Sequence, residues 1–91
     1  MSYEAIFKAL ADKRRLEILK TLNKRGSMCV CKLVDEFELS QSKLSYHLKL
    51  LLDSNLIVKI SQGKWNYYDV NKEILYKLLS ENSIKELLNI Y

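Results

Sequence analysis

Proline is absent from this 91-residue chain, glycine occurs twice and histidine once. Two glycines cannot build a glycine-rich phosphate loop or a dinucleotide fingerprint. One histidine excludes HExxH, and no Ser/His/Asp set stands at a recognisable spacing. Little remains from which to make a catalytic site, so no enzyme activity is expected. No apolar run approaches the roughly 20 residues that cross a bilayer, and no membrane partner is expected. The opening "MSYEAIFKALADK" interleaves acid with base and holds no signal-peptide core, which points to the cytoplasm. Thiols there are normally reduced, so a stable structural disulfide between the two cysteines is not expected. With no linker, repeat or low-complexity stretch, residues 1–91 read as a single domain near the lower size limit for an independent core.

What is present is a soluble balance, 48% apolar and 29% charged, with a net charge of +4. The charge is unevenly placed. Residues 1–28 carry seven basic groups against three acids, and residues 40–66 carry four against one. Between them, residues 29–39 reverse the balance, with one base and three acids. A belt of this kind suits a polyanion and favours nucleic acid over membrane, although ordinary solubility charge would give the same count.

The apolar spacing predicts helices first. Ser2 is placed to cap a helix whose stripe is Tyr3, Ile6, Phe7 and Leu10. Asp12 is a natural cap for a second through "KRRLEILKTLNK", ended by Gly26. Ser27 would cap a third, burying Val30, Leu33, Val34 and Phe37. "LSQSKLSYHLKLLLDSN" reads as a fourth, closed by Asn55. The period then changes. "LIVKIS" alternates, with Leu56, Val58 and Ile60 on one side, and "WNYYDV" is rich in aromatic strand formers. Gln62, Gly63 and Lys64 between them make a short hairpin. From Asn71 a helix returns, with Ile74, Leu75, Leu78 and Leu79 inward, and the S-x-x-E form of "SIKE" marks a break and restart at Ser83. The expected fold is mainly α with a small β-hairpin, in the order α-α-α-α-β-β-α. That is the order of a winged helix-turn-helix.

At about 100° per residue, the fourth helix gathers Leu44, Leu48, Leu51 and Leu52 on its core face. Opposite them lie Ser42, Tyr46 and Lys49, with Ser45 beside. Small hydroxyls, a tyrosine and a lysine can bond base edges and phosphates in a major groove, and a polar surface with no partner would look similar. His47, at the edge of the core face, suits packing or a phosphate contact; with no second histidine it is not a metal ligand. Lys64 would project from the wing toward passing phosphates, and Trp65 is expected in the core.

These segments resemble the ArsR family of metal- and metalloid-responsive repressors. The resemblance covers nearly the whole chain, from "FKALADKRRLEIL" through "LSQSKLSYHLKLLLDSNLI" to "GKWNYYDV". It implies a recognition helix in which Gln41, Ser42, Lys43, Ser45, Tyr46, His47 and Lys49 face double-stranded operator DNA, with Lys64 on the wing. It also implies a homodimer joined through the first and last helices, around Tyr3, Ile6, Phe7, Leu75, Leu78 and Leu79. The pair in "CVC", Cys29 and Cys31, is similar to the ligand motif of the arsenic- and antimony-sensing branch. Arsenite or antimonite would then be the inducer, releasing DNA on binding. Two departures stand out: Val34 occupies the place where that branch most often has a third cysteine, and Lys32 stands where an acid is common. The zinc-sensing branch uses histidines on the last helix, and none is there.

On an ideal helix Cys29 and Cys31 lie about 200° apart. They flank the Val30 stripe, and one ion could join them only if the first turn unwound. Metal binding and an intact helix would then compete, which makes a switch. The helix N-terminus, Lys32 and nearby Arg25 would all favour thiolates, which select soft ions. A third ligand would be water or a small thiol, with Met28 a further candidate. A disulfide across two residues is expected to be disfavoured, so a redox switch would act through intersubunit or mixed disulfides. Three readings therefore stay open: a metalloid-responsive repressor, a repressor with a redox-sensitive cysteine pair, and a winged-helix protein-interaction module that never touches DNA.

Overall fold

The computed structural model describes residues 3–80 and 82–84. The element order is α1 (Tyr3–Leu10), α2 (Lys13–Arg25), β1 (Met28–Cys29), α3 (Val30–Phe37), α4 (Gln41–Asp53), β2 (Ile57–Gln62), β3 (Trp65–Val70) and α5 (Lys72–Leu78). The expected helices and hairpin are all there, and one strand is added. The Ser2 cap lies outside the described residues.

Local chemistry sets most boundaries. Asp12 caps α2, its carboxylate accepting from the Arg15 amide at 3.1 Å. Gly26 ends that helix at φ 81°, and its N–H donates to the Leu22 carbonyl at 2.8 Å. Ser40 caps α4, its hydroxyl accepting from the Lys43 amide at 3.2 Å. At the far end of α4, Asn55 takes the left-handed conformation (φ 63°). The Asn55 amide bonds the Leu52 carbonyl and the Leu56 amide bonds the Leu51 carbonyl, each at 2.9 Å. This is the paired closure of a Schellman motif, and it turns the chain into β2.

The core is built from one face of each helix. Ile6, Ile18, Leu19, Leu22, Leu33, Leu44, Leu51, Leu56, Ile57 and Leu75 are the large side chains fully enclosed in it. Leu48 joins them, while Leu52 packs half-buried at the edge. Two residues expected at the dimer face, Ile6 and Leu75, thus lie in this core and not on the surface. The exposed members of that set are Tyr3 and Phe7, whose rings stack 6.5 Å apart; Leu78 and Leu79 are half-buried against the core.

Four further expectations are corrected. Ser27 does not cap α3: Met28 and Cys29 are extended and form β1, and the cap position falls to Cys29 (φ −78°, ψ 163°). β1 pairs antiparallel with β3, Met28 opposite Tyr68 and Cys29 opposite Tyr67, so the wing is a three-stranded sheet in the order β1-β3-β2. Trp65 is exposed rather than core, because it sits at the hairpin tip, past the edge of the core. The last helix does break, at Leu79, but the restart over residues 82–84 is capped by Ser80, whose hydroxyl accepts from the Ser83 amide at 3.1 Å. The "SIKE" box extends beyond the described residues.

Gln62 pairs with Trp65, leaving a two-residue loop of Gly63 and Lys64 with Gly63 at φ 61°. A side chain there meets no neighbour within 4 Å, so any penalty for adding one comes from the backbone alone. Gly63→Ala should cost about 1 kcal/mol, the price of left-handed backbone in an L-residue. Denaturant midpoints at unchanged slope would check this.

Candidate DNA interface and thiol site

α3 and α4, joined through Glu38 in the left-handed conformation (φ 52°), form the helix-turn-helix. Along α4, Leu44, Leu48 and Leu51 are buried, whereas Gln41, Ser42, Lys43, Ser45, Tyr46 and Lys49 are exposed. The hydroxyl-and-lysine face therefore stands free of the core, and Lys64 is exposed at the wing tip.

His47 is held from behind. Arg15, 7% exposed, donates through Nε to the Ala9 carbonyl at 2.8 Å and through Nη2 to the Lys8 carbonyl at 3.4 Å. Its Nη1 lies 3.1 Å from His47 Nδ1, and its other neighbour is the Asp12 carboxylate at 3.9 Å. A guanidinium only donates, so His47 Nδ1 accepts and the neutral ring carries its proton on Nε2. One side chain thus ties the end of α1, the cap of α2 and the recognition helix together. Nothing in the sequence spacing signalled it: Arg15 counted only as charge in "KRR".

Burial pushes the His47 pKa below its ordinary 6.5; the Arg15 and Arg14 charges push the same way, against Asp12. For Asp12, burial acts upward, but the Arg15 amide, the Arg15 charge and the His47 charge outweigh it and hold the carboxyl below 3.8. Both signs agree. As pH falls through about 6.5 the unfolded chain protonates its histidine before the folded one does, and stability declines. Below about 4 the unfolded Asp12 gains its proton first, and stability declines again. Unfolding midpoints between pH 8 and pH 5 should fall, with the decline reduced in His47→Gln.

The thiol geometry differs from the helical expectation. Cys29 sits in extended backbone ahead of α3 and Cys31 within its first turn, so the sulfurs converge without any unwinding. They are paired as a disulfide within the chain, with Cα atoms 5.5 Å apart. Cys29 is buried and Cys31 exposed. Met28 is not a third ligand: neighbouring strand residues face opposite ways, and Met28 points into the core. Nor is Arg25 free to attract thiolates, since it pairs with Glu36 at 2.8 Å. The helix N-terminus and Lys32 remain as the favourable charges.

The cysteines open onto a cleft of about 510 Å³ that also takes in Val30, Val34 and Asp35 of α3, Gln41 of α4, and Lys64, Trp65 and Asn66 of the wing. Among the described residues no three His, Cys, Asp or Glu side chains cluster as a metal site. The cysteine pair, the start of the recognition helix and the wing tip therefore share one cleft. Trp65 and Asn66 were not foreseen there, because only the folded hairpin brings them back over α3.

Helix-turn-helix followed by an antiparallel hairpin defines a winged helix-turn-helix regulator. Comparison with known proteins agrees: residues 12–59 match the family described as bacterial regulatory protein, arsR family. The chain is 61% identical over 79 residues to the arsenical resistance operon repressor of Bacillus subtilis (strain 168), spanning 87% of this chain and 75% of that one. It is 38% identical over 87 residues to the arsenical resistance operon repressor of Staphylococcus aureus, spanning 92% and 83%. Among solved structures, NolR from Sinorhizobium fredii superposes with a TM-score of 0.75 at 32% identity, covering 92% of this chain and 81% of that one. The chain belongs to the ArsR family of bacterial transcriptional regulators. No described helix is long and apolar enough to cross a membrane.

Proposed function

We propose that this chain is the repressor of an arsenical resistance operon, binding its operator as a homodimer and released when trivalent arsenic or antimony binds Cys29 and Cys31. The observation that carries the reading is the shared cleft: the two cysteines, Gln41 of the recognition helix and Lys64 of the wing line one space. A ligand there meets both elements that face DNA. The names of the Bacillus subtilis and Staphylococcus aureus relatives support the same inducer.

In the DNA-bound form, α4 enters the major groove. Gln41, Ser42, Ser45 and Tyr46 reach base edges, while Lys43, Lys49 and the His47 Nε2–H meet phosphates. Lys64 contacts the backbone beyond. The stacked Tyr3 and Phe7, exposed on α1, supply an apolar patch on which a second subunit seats. Soft thiolates at the start of α3 select arsenite or antimonite over hard ions. The bound ion occupies the cleft that the wing tip and α4 must keep open on DNA, so ligand and operator compete.

The test is operator affinity of the reduced protein with and without arsenite. Unchanged affinity would sink the sensing role, and absence of any operator preference would favour a protein-interaction module. Lys64→Ala should weaken binding to all duplexes alike and lower the slope of log K against log salt by about 1 for each phosphate left without its lysine. The intrachain pairing of the cysteines gives specific support to a second reading, an oxidative switch at the same site. Peroxide would then release DNA in the absence of arsenite, with mass spectrometry finding the Cys29–Cys31 bond.

A further inference from the structure

We propose that the cysteine pair exchanges with the disulfides of small amino-acid or peptide thiols, RS–SR. Cys31 is the reacting sulfur, Cys29 the resolving one, and the RS group is carried in the cleft between α4 and the wing. The inference rests on the oxidative reading of the pair and names the oxidant, the sulfur it meets and where the adduct lies.

The two sulfurs are within bonding reach but unequally placed. Cys29 belongs to β1, is 8% exposed and has Tyr67 of β3 as its strand partner. Cys31, in the first turn of α3, is exposed. Thiol–disulfide exchange needs open access to the sulfur that the reagent joins. Cys31 offers that access. Cys29 has only to reach its neighbour, and the two Cα atoms are 5.5 Å apart, inside the roughly 4.4–6.8 Å that a disulfide spans. This asymmetry sets the order of events.

The surroundings of Cys31 select the thiol. The cleft holds about 510 Å³, within the roughly 300–1,000 Å³ of small-molecule sites. Val34 and Trp65 line it with apolar surface for the carbon chain of RS. Lys64 supplies a cation for a carboxylate, and Asp35 an anion for an amine. A thiol that carries both charges, as amino-acid and short-peptide thiols do, meets a partner for each. Gln41 lines the same space, so an RS group on Cys31 stands between the start of α4 and the wing tip.

The exchange balances in two steps. Cys31 sulfur attacks one sulfur of RS–SR, the Cys31–SR bond forms, the RS–SR bond breaks, and the first RSH leaves with the Cys31 proton. Cys29 sulfur then attacks Cys31 sulfur, the intrachain bond forms, the Cys31–SR bond breaks, and the second RSH leaves with the Cys29 proton. The pair loses two electrons and RS–SR gains them. The product is the bond that joins the two cysteines in this structure.

Glutathione disulfide serves as the probe, added to reduced protein freed of reductant and followed by mass spectrometry with peptide mapping. Cys29→Ser should accumulate one glutathione per chain on Cys31, because nothing resolves the adduct. Cys31→Ser should react at Cys29 at least about tenfold more slowly, since burial limits access. In urea the two variants should react alike, which assigns the difference to the fold. The native chain should pass through the Cys31 adduct and end as the intrachain disulfide with two glutathiones released. Lys64→Ala should slow the reaction with glutathione disulfide about two- to fivefold, the scale of one exposed ion pair, and leave that with neutral bis(2-hydroxyethyl) disulfide unchanged. Folded Cys31→Ser reacting as fast as Cys29→Ser overturns the proposal. So does a native chain that peroxide oxidises but glutathione disulfide does not, and there the oxidative reading survives. An intrachain disulfide formed through the Cys31 adduct, with operator affinity unchanged, supports the exchange and removes the oxidative switch.

Discussion

Cys29→Ser should abolish the response of DNA binding to arsenite while leaving operator affinity without arsenite unchanged. The substitution separates sensing from folding because of where Cys29 lies. It holds the N-cap position of α3 and makes no side-chain capping bond. Serine is a favoured cap, so its hydroxyl can take up an α3 amide that cysteine leaves free, adding up to about 1 kcal/mol to the helix. The variant therefore folds at least as well as the native chain, and loss of response cannot be blamed on unfolding. In the native protein, coupling between two sites is typically worth 1–3 kcal/mol, so arsenite should weaken the operator complex about 5- to 150-fold. In Cys29→Ser the change should shrink to about twofold or less, because a single thiolate gives up the chelate. Linkage requires the reverse effect as well: saturating operator DNA must weaken arsenite binding to the native protein by the same factor. Cys31→Ser and the double variant should match Cys29→Ser, since removing either sulfur destroys the pair. Fluorescence anisotropy of labelled operator, with calorimetry for the reciprocal arm, measures all of this. A native response retained by Cys29→Ser would remove the cysteine pair from the mechanism.

The helices were legible because leucine spacing and capping chemistry agree along this chain. Asp12, Gly26, Ser40 and Asn55 each act where their side chains or backbone freedom place them. The exposed face of α4 was legible for the same reason: once Leu44, Leu48 and Leu51 are inward, Ser42, Tyr46 and Lys49 must be outward. The thiol geometry was not legible, and a boundary shift of two residues accounts for it. With Ser27 as cap, both cysteines belong to a helix and diverge. With Cys29 as cap, one is extended and the sulfurs meet. What moves the boundary is β1, whose partners Tyr67 and Tyr68 lie far along the chain and leave no local trace at Met28. Helix ends are where local signals are weakest, and here the cysteine pair sits on one. Trp65 misled for a related reason. Its ring is large and apolar, but the hairpin carries it past the edge of the core and over the cleft. Val58 and Ile60 are likewise on the outer face of β2, and only Ile57 of that strand turns inward.

Arg15→Ala should cause a larger loss of stability than any other charged-residue substitution in the described chain, on the order of 3 kcal/mol. The guanidinium has three kinds of partner: carbonyls of α1, the Asp12 carboxylate and the His47 ring. The Ala9 and Lys8 carbonyls are among those that α1 leaves unbonded at its C-terminus, and Ala9 itself is buried, so water is poorly placed to replace Nε. Removing Arg15 orphans these oxygens, unpairs Asp12 and frees His47 to turn. For a domain of this size the loss corresponds to a drop in Tm on the order of 10–20 °C. Arg15→Lys should recover only part of it, because an ammonium cannot span the α1 carbonyls and His47 at once. His47→Ala should cost less than Arg15→Ala, since Arg15 keeps its carbonyl and carboxylate partners when the ring is gone. Measured below its own unfolding transition, Arg15→Ala should also bind the operator more weakly, because α4 is no longer fixed against α1 and α2. Reduced affinity with an unchanged salt slope would identify this as misorientation of α4 rather than a phosphate left unneutralised. A destabilisation below about 1 kcal/mol would mean that solvent replaces Arg15 readily, and that the packing of Leu44, Leu48 and Leu51 alone sets the angle of the recognition helix.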